Sequence, residues 1–125
     1  MNQALKIQSF TQLTTWQKGH QLVLSIYQTT KTFPKKEVYA LVDQMRRCAI
    51  SITSNIAEGF SRKSYKEKIQ FYSMALGSTT ELQNQLLVAR DVSYITKEQF
   101  TTIAQLTVDV HKLINGLIKG SRKYI

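Results

Sequence analysis

The stretch Val38-Tyr-Ala-Leu-Val-Asp-Gln-Met-Arg-Arg-Cys-Ala-Ile-Ser-Ile-Thr-Ser-Asn-Ile-Ala-Glu-Gly59 decides the fold. Its apolar residues Val38, Leu41, Val42, Met45, Ala49, Ile52 and Ile56 recur at steps of three and four, which lines them up along one face of a helix. A helix from about Lys36 to Glu58 is predicted, with Gly59 standing where a C-terminal cap is expected. Such a helix is roughly 35 Å long at 1.5 Å per residue, and its apolar face needs partners of similar length.

The flanking sequence supplies them. Upstream, Phe33-Pro34 closes a preceding helix, because the residue before proline is pushed out of the α region. That helix is predicted from Thr14 or Thr15, either of which serves as its cap, to about Lys31, with Trp16, Val23, Ile26, Tyr27 and Thr30 on one face. Residues 1–13 read as an N-terminal arm, anchored by Phe10 and Leu13. Downstream, a charged loop Phe60-Ser61-Arg62-Lys63 precedes Ser64-Tyr-Lys-Glu67, which has the form of a capping box. The third helix should run to about Arg90 on a stripe of Tyr65, Ile69, Tyr72, Leu76, Leu82, Leu86 and Ala89, with Phe71 and Met74 beside it. Thr96-Lys-Glu-Gln99 is a second capping box. It opens a helix bearing Phe100, Ile103, Leu106, Val110, Leu113, Ile114 and Leu117, which ends near Gly120 and leaves 121–125 as a basic tail.

Four helices with short connections make antiparallel neighbours, so the fold class is all-α, an antiparallel up-and-down four-helix bundle in a single domain over 1–125. Five glycines and one proline in 125 residues are too few turn formers for an all-β chain, and 42% hydrophobic residues supply a core. The stripes are wider than one seam requires: Tyr39, Ile50, Ala57, Phe71 and Met74 widen them. Apolar surface of that kind marks an interface, and self-association is the economical way to cover it.

The formal net charge is +9, from 17 Lys and Arg against 8 Asp and Glu. A field of that sign on so small a body attracts polyanions. Two clusters carry it. Arg46, Arg47, Arg62, Lys63, Lys66 and Lys68 surround the second interhelix region, and Lys112, Lys119, Arg122 and Lys123 load the C-terminal end, with no acidic residue beyond Asp109. Arg46, Arg47, Arg62, Lys63, Lys66, Lys68, Lys119, Arg122 and Lys123 are therefore the candidate phosphate contacts. Tyr65 and Tyr124 lie near these clusters and can stack on bases, although tyrosines at bundle ends more often serve packing.

Chemistry is harder to find. Catalysis needs a nucleophile, a base and an orienting group within reach. The two histidines, His20 and His111, sit in helices, and Ser51 with Asp109 lacks the strained turn or oxyanion loop that would make a triad. No Glu-x-x-His pair, Cys/His cluster or Gly-rich phosphate loop occurs, so no cofactor or metal and no enzymatic activity is expected. The single Cys48 excludes an internal disulfide and reads as a buried structural thiol in a reducing compartment. Residues 2–9 are mostly polar, and runs such as Val38–Val42 and Leu86–Ala89 are only five and four residues long. No membrane span or secretory segment is expected, which fits a cytoplasmic protein.

The most informative polar pattern is Ser51, Asn55 and Glu58 on one helix face, ending at Gly59. Polar groups beside a hydrophobic stripe need partners, so this motif is expected to bond a neighbouring helix or subunit, with a ligand or functional site as the alternative. Here the chain resembles the four-helix-bundle family encoded in intervening sequences of bacterial large-subunit ribosomal RNA genes. The resemblance spans Phe10 to about Leu117. Its markers are Phe10, Leu13, Trp16-Gln17, Phe33-Pro34 with Glu37, Tyr39 and Leu41, Gln44-Met-Arg46-Arg47, Ser54-Asn-Ile-Ala-Glu-Gly59, Ala75-Leu-Gly77-Ser78 and Glu81-Leu82. Where the family often has proline before the Ser-Asn-Ile-Ala-Glu-Gly segment, this chain has Thr53, which removes any proline kink there.

The resemblance implies a ring-like homo-oligomer, a pentamer. It also extends to the accessory variability proteins of diversity-generating retroelements, which bind a reverse transcriptase and nucleic acid. The functional expectation is a non-catalytic basic homo-oligomer that binds RNA or DNA through phosphates. The alternative is a protein-interaction adaptor, such as an accessory subunit of a reverse transcriptase.

Overall fold

A computed structural model describes residues 6–125; the first five residues of the proposed arm lie outside the described residues. Among the described residues there are four α-helices and no strand: α1 (Thr14–Thr30), α2 (Asp43–Ser61), α3 (Tyr65–Asp91) and α4 (Lys97–Arg122). Each helix packs on its sequence neighbours, and α1 closes the ring against α4. The direction of each pairing is set by particular contacts. Ascending α2 meets descending α3 through Cys48 and Ser51 with Ser78, then Gly59 with Tyr72. Gln83 with Thr107 and Tyr65 with Tyr124 run α3 against α4. Gly19 with Thr53 and Thr30 with Arg46 run α1 against α2, and Thr15 meets the Leu113 carbonyl of α4 at 3.5 Å. The bundle is up-and-down and antiparallel throughout.

Side-chain chemistry fixes most of the boundaries. The 3-10 turn Phe10–Gln12 is held by a capping box between Ser9 and Gln12, and Leu13, an extended residue with no side-chain cap, leads directly into α1. Thr14 and Thr15 therefore do not cap α1. Thr15 is instead buried against α4, while Leu13 is buried and Phe10 packs edge-to-face on Trp16 at 5.3 Å, anchoring the arm as its sequence suggested. Phe33 ends the first helical unit beside Pro34 and is itself buried, 5.2 Å from the Tyr94 ring. At α3 the box is only half formed: Ser64 Oγ accepts from the Glu67 amide, but its hydroxyl turns to the Glu67 carboxylate at 3.3 Å in place of the return bond. The Thr96/Gln99 box before α4 is complete. α3 closes with Ser93 in the left-handed region (φ 65°), where Tyr94 N–H reaches Ala89 O and Ser93 N–H reaches Arg90 O.

Helix two departs from the expected continuous run. A 3-10 turn (Lys35–Glu37) and a π-helical stretch (Val38–Val42) precede α2, and Ala40 at φ −121°, ψ −105° breaks the ladder. Glu37 explains the break: its carboxylate accepts from Leu41 N–H and, at 2.6 Å, from the Tyr94 hydroxyl, so this segment is tied to the α3–α4 connection. At the other end the helix passes through Gly59 and continues to Ser61, so Gly59 is not a cap and Phe60-Ser61 is not loop. Helix α2 is unbroken at Thr53.

The core is built from Leu22, Ile26, Met45, Ile52, Ile56, Leu82, Leu86, Val110 and Ile114, all fully buried. Each contributes about 1.5–3 kcal/mol on leaving water. Two threonines, Thr79 and Thr107, are equally buried. Their hydroxyls donate to Ala75 O at 2.9 Å and Ala104 O at 2.6 Å, and Thr107 also accepts from Gln83 Nε2, so their polarity is satisfied locally. No described helix is long and apolar enough to cross a membrane.

Candidate nucleic-acid interface

The up-and-down path puts the start of α1, the end of α2, the start of α3 and the end of α4 at one end of the bundle. Tyr65, the first residue of α3, stacks on Tyr124 at a centroid distance of 4.7 Å, joining residues fifty-nine apart in the chain. Two groups of cations separated in sequence thereby meet: Arg62, Lys63, Lys66 and Lys68 from the α2–α3 junction, and Lys119, Arg122 and Lys123 from the end of α4. The half of the bundle holding this end also carries Lys18 and Lys112, against the acids Glu58, Glu67 and Asp109 alone. The other half is nearly balanced, so the positive field is concentrated at one end.

Members of this group differ in what they are free to do. Lys63, Lys66, Lys119, Arg122 and Lys123 are exposed, and among the described residues none is in an ion pair. Arg62 is committed: it bridges Glu58 at 3.1 Å, approaches Glu67 at 4.0 Å and lies 4.6 Å over the Phe71 ring. Lys68 is committed as well. Its ammonium donates to Phe60 O at 2.6 Å and Gly59 O at 3.3 Å, capping the last turn of α2 where a cation also meets the helix dipole favourably. Burial there pulls its pKa below the usual lysine value.

Arg46 and Arg47 do not belong to this end. They lie about 24 Å back along α2, some sixteen residues at 1.5 Å each. Arg46 holds the C-terminus of α1, donating to Thr30 Oγ1 at 3.0 Å and Tyr27 O at 3.3 Å with its guanidinium 4.5 Å over the Tyr27 ring. Arg47 pairs with Asp43 at 3.0 Å on an exposed surface. The sequence cluster of six cations is thus two separate groups.

The polar motif of α2 is also resolved into contacts. Ser51 Oγ bonds Ser78 Oγ of α3 at 2.9 Å, and Asn55 Nδ2 donates back to Ser51 O at 2.8 Å and Ser51 Oγ at 3.1 Å. Glu58 turns to Arg62. Gly59 is buried directly beneath the Tyr72 ring, and a Cβ there would stand 2.5 Å from Tyr72 Cε1. The motif therefore ties α2 to α3 and to its own C-terminus within one protomer.

Of the apolar residues singled out for self-association, Tyr39, Ile50 and Met74 are exposed, whereas Phe71 and Ala57 are half-buried. Sequence periodicity did not single out the exposed Leu87, Val88, Val92 and Val108. Leu87 and Val108 line an almost wholly apolar groove of about 190 Å³ between α3 and α4, with Phe100 and Ala104 in its walls.

No group of three His, Cys, Asp or Glu that could hold a metal occurs among the described residues. His20 stacks on Trp16 at 4.7 Å, and His111 faces Asn115. Cys48 is buried, its thiol donates to Ser78 O, and burial first, then the Glu81 carboxylate, pushes its pKa up to about 12. Folding favours the neutral thiol, so its contribution is intact below the ordinary value of 9.0 and declines as pH rises from there toward 12. Iodoacetamide at pH 8 is expected to alkylate Cys48 at least a hundred times more slowly in the folded protein than in denaturant, because a thiol of this pKa is almost wholly protonated there. Comparable rates would show an accessible thiolate.

Comparison with known proteins adds two findings. Residues 11–116 match the family described as 23S rRNA-intervening sequence protein. Among solved structures, the chain is similar to a protein of unknown function from the S23 ribosomal protein family of Bacteroides thetaiotaomicron, with a TM-score of 0.78 at 24% identity. That alignment covers 84% of this chain and 98% of the other, and at this identity it shows the shared fold. No curated protein matches the chain.

Proposed function

The chain belongs to the 23S rRNA-intervening sequence protein family, and from this footing we propose that it is a non-catalytic, basic homo-oligomer that binds RNA or DNA through phosphates at one end of the bundle. One observation carries the reading: Lys63, Lys66, Lys119, Arg122 and Lys123 converge there, exposed and outside any ion pair among the described residues. Phosphates offer what these side chains lack, and each contact gains by releasing counterions. The set of contacts is smaller than composition suggested, because Arg46 and Lys68 are spent on helix ends, Arg62 on Glu58 and Arg47 on Asp43. A non-catalytic role is supported by the internal use of the Ser51, Asn55 and Glu58 side chains.

Self-association is supported by the apolar groove at Leu87 and Val108 and by the exposed Tyr39, Ile50 and Met74. In an oligomer the basic ends repeat, and weak contacts sum through avidity. Light scattering is expected to give a multiple of the 14.4 kDa chain mass, five-fold for the pentamer that the family resemblance implies. Leu87→Glu and Val108→Glu, which place a charge on that surface, should each return the protein to 14.4 kDa with its helicity kept. A wild type of 14.4 kDa at micromolar concentration removes the oligomer from the reading.

The same groove favours a second reading, an adaptor that docks a protein such as a reverse transcriptase. A gel shift on a generic RNA stem and a pull-down on that protein separate the two. Shift without capture supports phosphate binding, and capture without shift supports the adaptor.

A further inference from the structure

Beside the free cations lies a groove of about 410 Å³ between the start of α3 and the end of α4. Gly116 and Gly120, one helical turn apart on α4, form part of its lining, and a Cβ added at either would meet nothing within 4 Å. The groove is open because α4 carries no side chain at those two positions. Tyr72 lines it and is buried, while Tyr65 and Tyr124 stack together in its wall and Tyr124 remains 68% exposed. Lys123 lines the same groove, with Arg122 next to it in the chain.

We propose that this groove takes an unpaired base of single-stranded nucleic acid, its ring against the Tyr65–Tyr124 pair and its phosphate on Lys123. The inference rests on the phosphate-binding reading above and narrows its ligand. A nucleotide needs a flat aromatic face and a cation within one sugar's reach, and this groove supplies both. Its volume falls within the range of clefts that enclose small ligands, roughly 300–1,000 Å³. Every base has a π-face, so recognition of this kind is tolerant of sequence. In a duplex the faces are already stacked, so a helix can reach the cations but cannot enter the groove.

The test uses fluorescence anisotropy with a twelve-nucleotide single-stranded RNA, the same sequence as single-stranded DNA, and a twelve-pair RNA duplex. Gly120→Leu fills the groove without changing charge and introduces its Cβ into open space; Tyr124→Ala removes the exposed ring. Each variant is expected to weaken single-strand binding by roughly ten-fold, the loss of about one stacked base, and to leave duplex binding within two-fold. A loss on both RNA and DNA supports a base contact alone; a loss on RNA only supports the slot with the ribose hydroxyl added. Unchanged single-strand affinity, an equal loss on duplex, or a changed oligomer mass with unchanged binding overturns the slot. In those cases wild-type duplex binding still upholds the phosphate reading, whereas a wild type that binds none of the probes overturns both.

Discussion

Gly59→Ala is expected to destabilise the protein by about 1–3 kcal/mol, the cost of forcing a methyl group into a packed interior, and to lower the melting temperature by roughly 5–10 °C. The added Cβ would lie 2.5 and 2.8 Å from two atoms of the Tyr72 ring and 3.2 Å from Phe71 Cβ, so α2 and α3 must separate or the ring must move. Tyr72 is only 3% exposed, so displacing its ring disturbs the core packing around it. Against this, alanine in a helix gains at most about 1 kcal/mol over glycine, which leaves the balance unfavourable. Gly77→Ala is the control of opposite sign. Gly77 is exposed, nothing lies within 4 Å of its added Cβ, and only the propensity gain remains. Equal melting temperatures for the two variants would mean that Gly59 is not a close-contact position.

The second large effect concerns charge. Replacing Lys63, Lys66, Arg122 and Lys123 together by alanine is expected to weaken binding to an RNA duplex by at least a hundred-fold at moderate salt, through the loss of about one phosphate contact per side chain. Stability should change little, because these side chains are exposed and outside ion pairs. Arg46→Ala should do the reverse. It removes two bonds to the end of α1 and the stacking on Tyr27, a cost of about 1–2 kcal/mol, while binding stays within two-fold. Together the variants ask whether position in the bundle or mere membership in a basic cluster determines a cation's role. If Arg46→Ala and the four-fold variant weaken binding alike, the interface is not confined to one end.

Much of this arrangement was legible beforehand. Helical spacing found all four helices, Phe33-Pro34 marked a true end, and Thr96/Gln99 formed the box that its letters spell. Phe10 and Leu13 anchored the arm because large apolar residues in a polar segment need somewhere to go. The failures have physical causes. Glycine after a polar stripe has two uses, to end a helix or to let another element approach, and only the position of Tyr72 distinguishes them. Thr79 and Thr107 are missing from any apolar stripe because a hydroxyl bonded to its own helix packs like a small hydrophobe. The π-helical stretch at Val38–Val42 begins beside a hydrogen bond between Glu37 and Tyr94, a contact across fifty-seven residues that no local pattern encodes.

The charge clusters teach a different lesson. Arg46 and Arg62 look like neighbours in a run of basic residues, but a helix of known rise separates them by about 24 Å. Lys63 and Arg122 look remote, yet in an up-and-down bundle the end of α2 and the end of α4 lie at the same end. Helix rise and chain direction alone, both available from the sequence, were enough to regroup them. What they could not supply is which cations are already engaged, since Lys68 on the Gly59 and Phe60 carbonyls is a matter of side-chain geometry.

The most direct test is the salt dependence of wild-type binding to a generic RNA duplex, plotted as log affinity against log salt concentration. Five free cations at the basic end of each protomer predict a steep negative slope, about −4 or beyond for one protomer's contacts. Affinity that stays level from low to moderate salt would contradict the account.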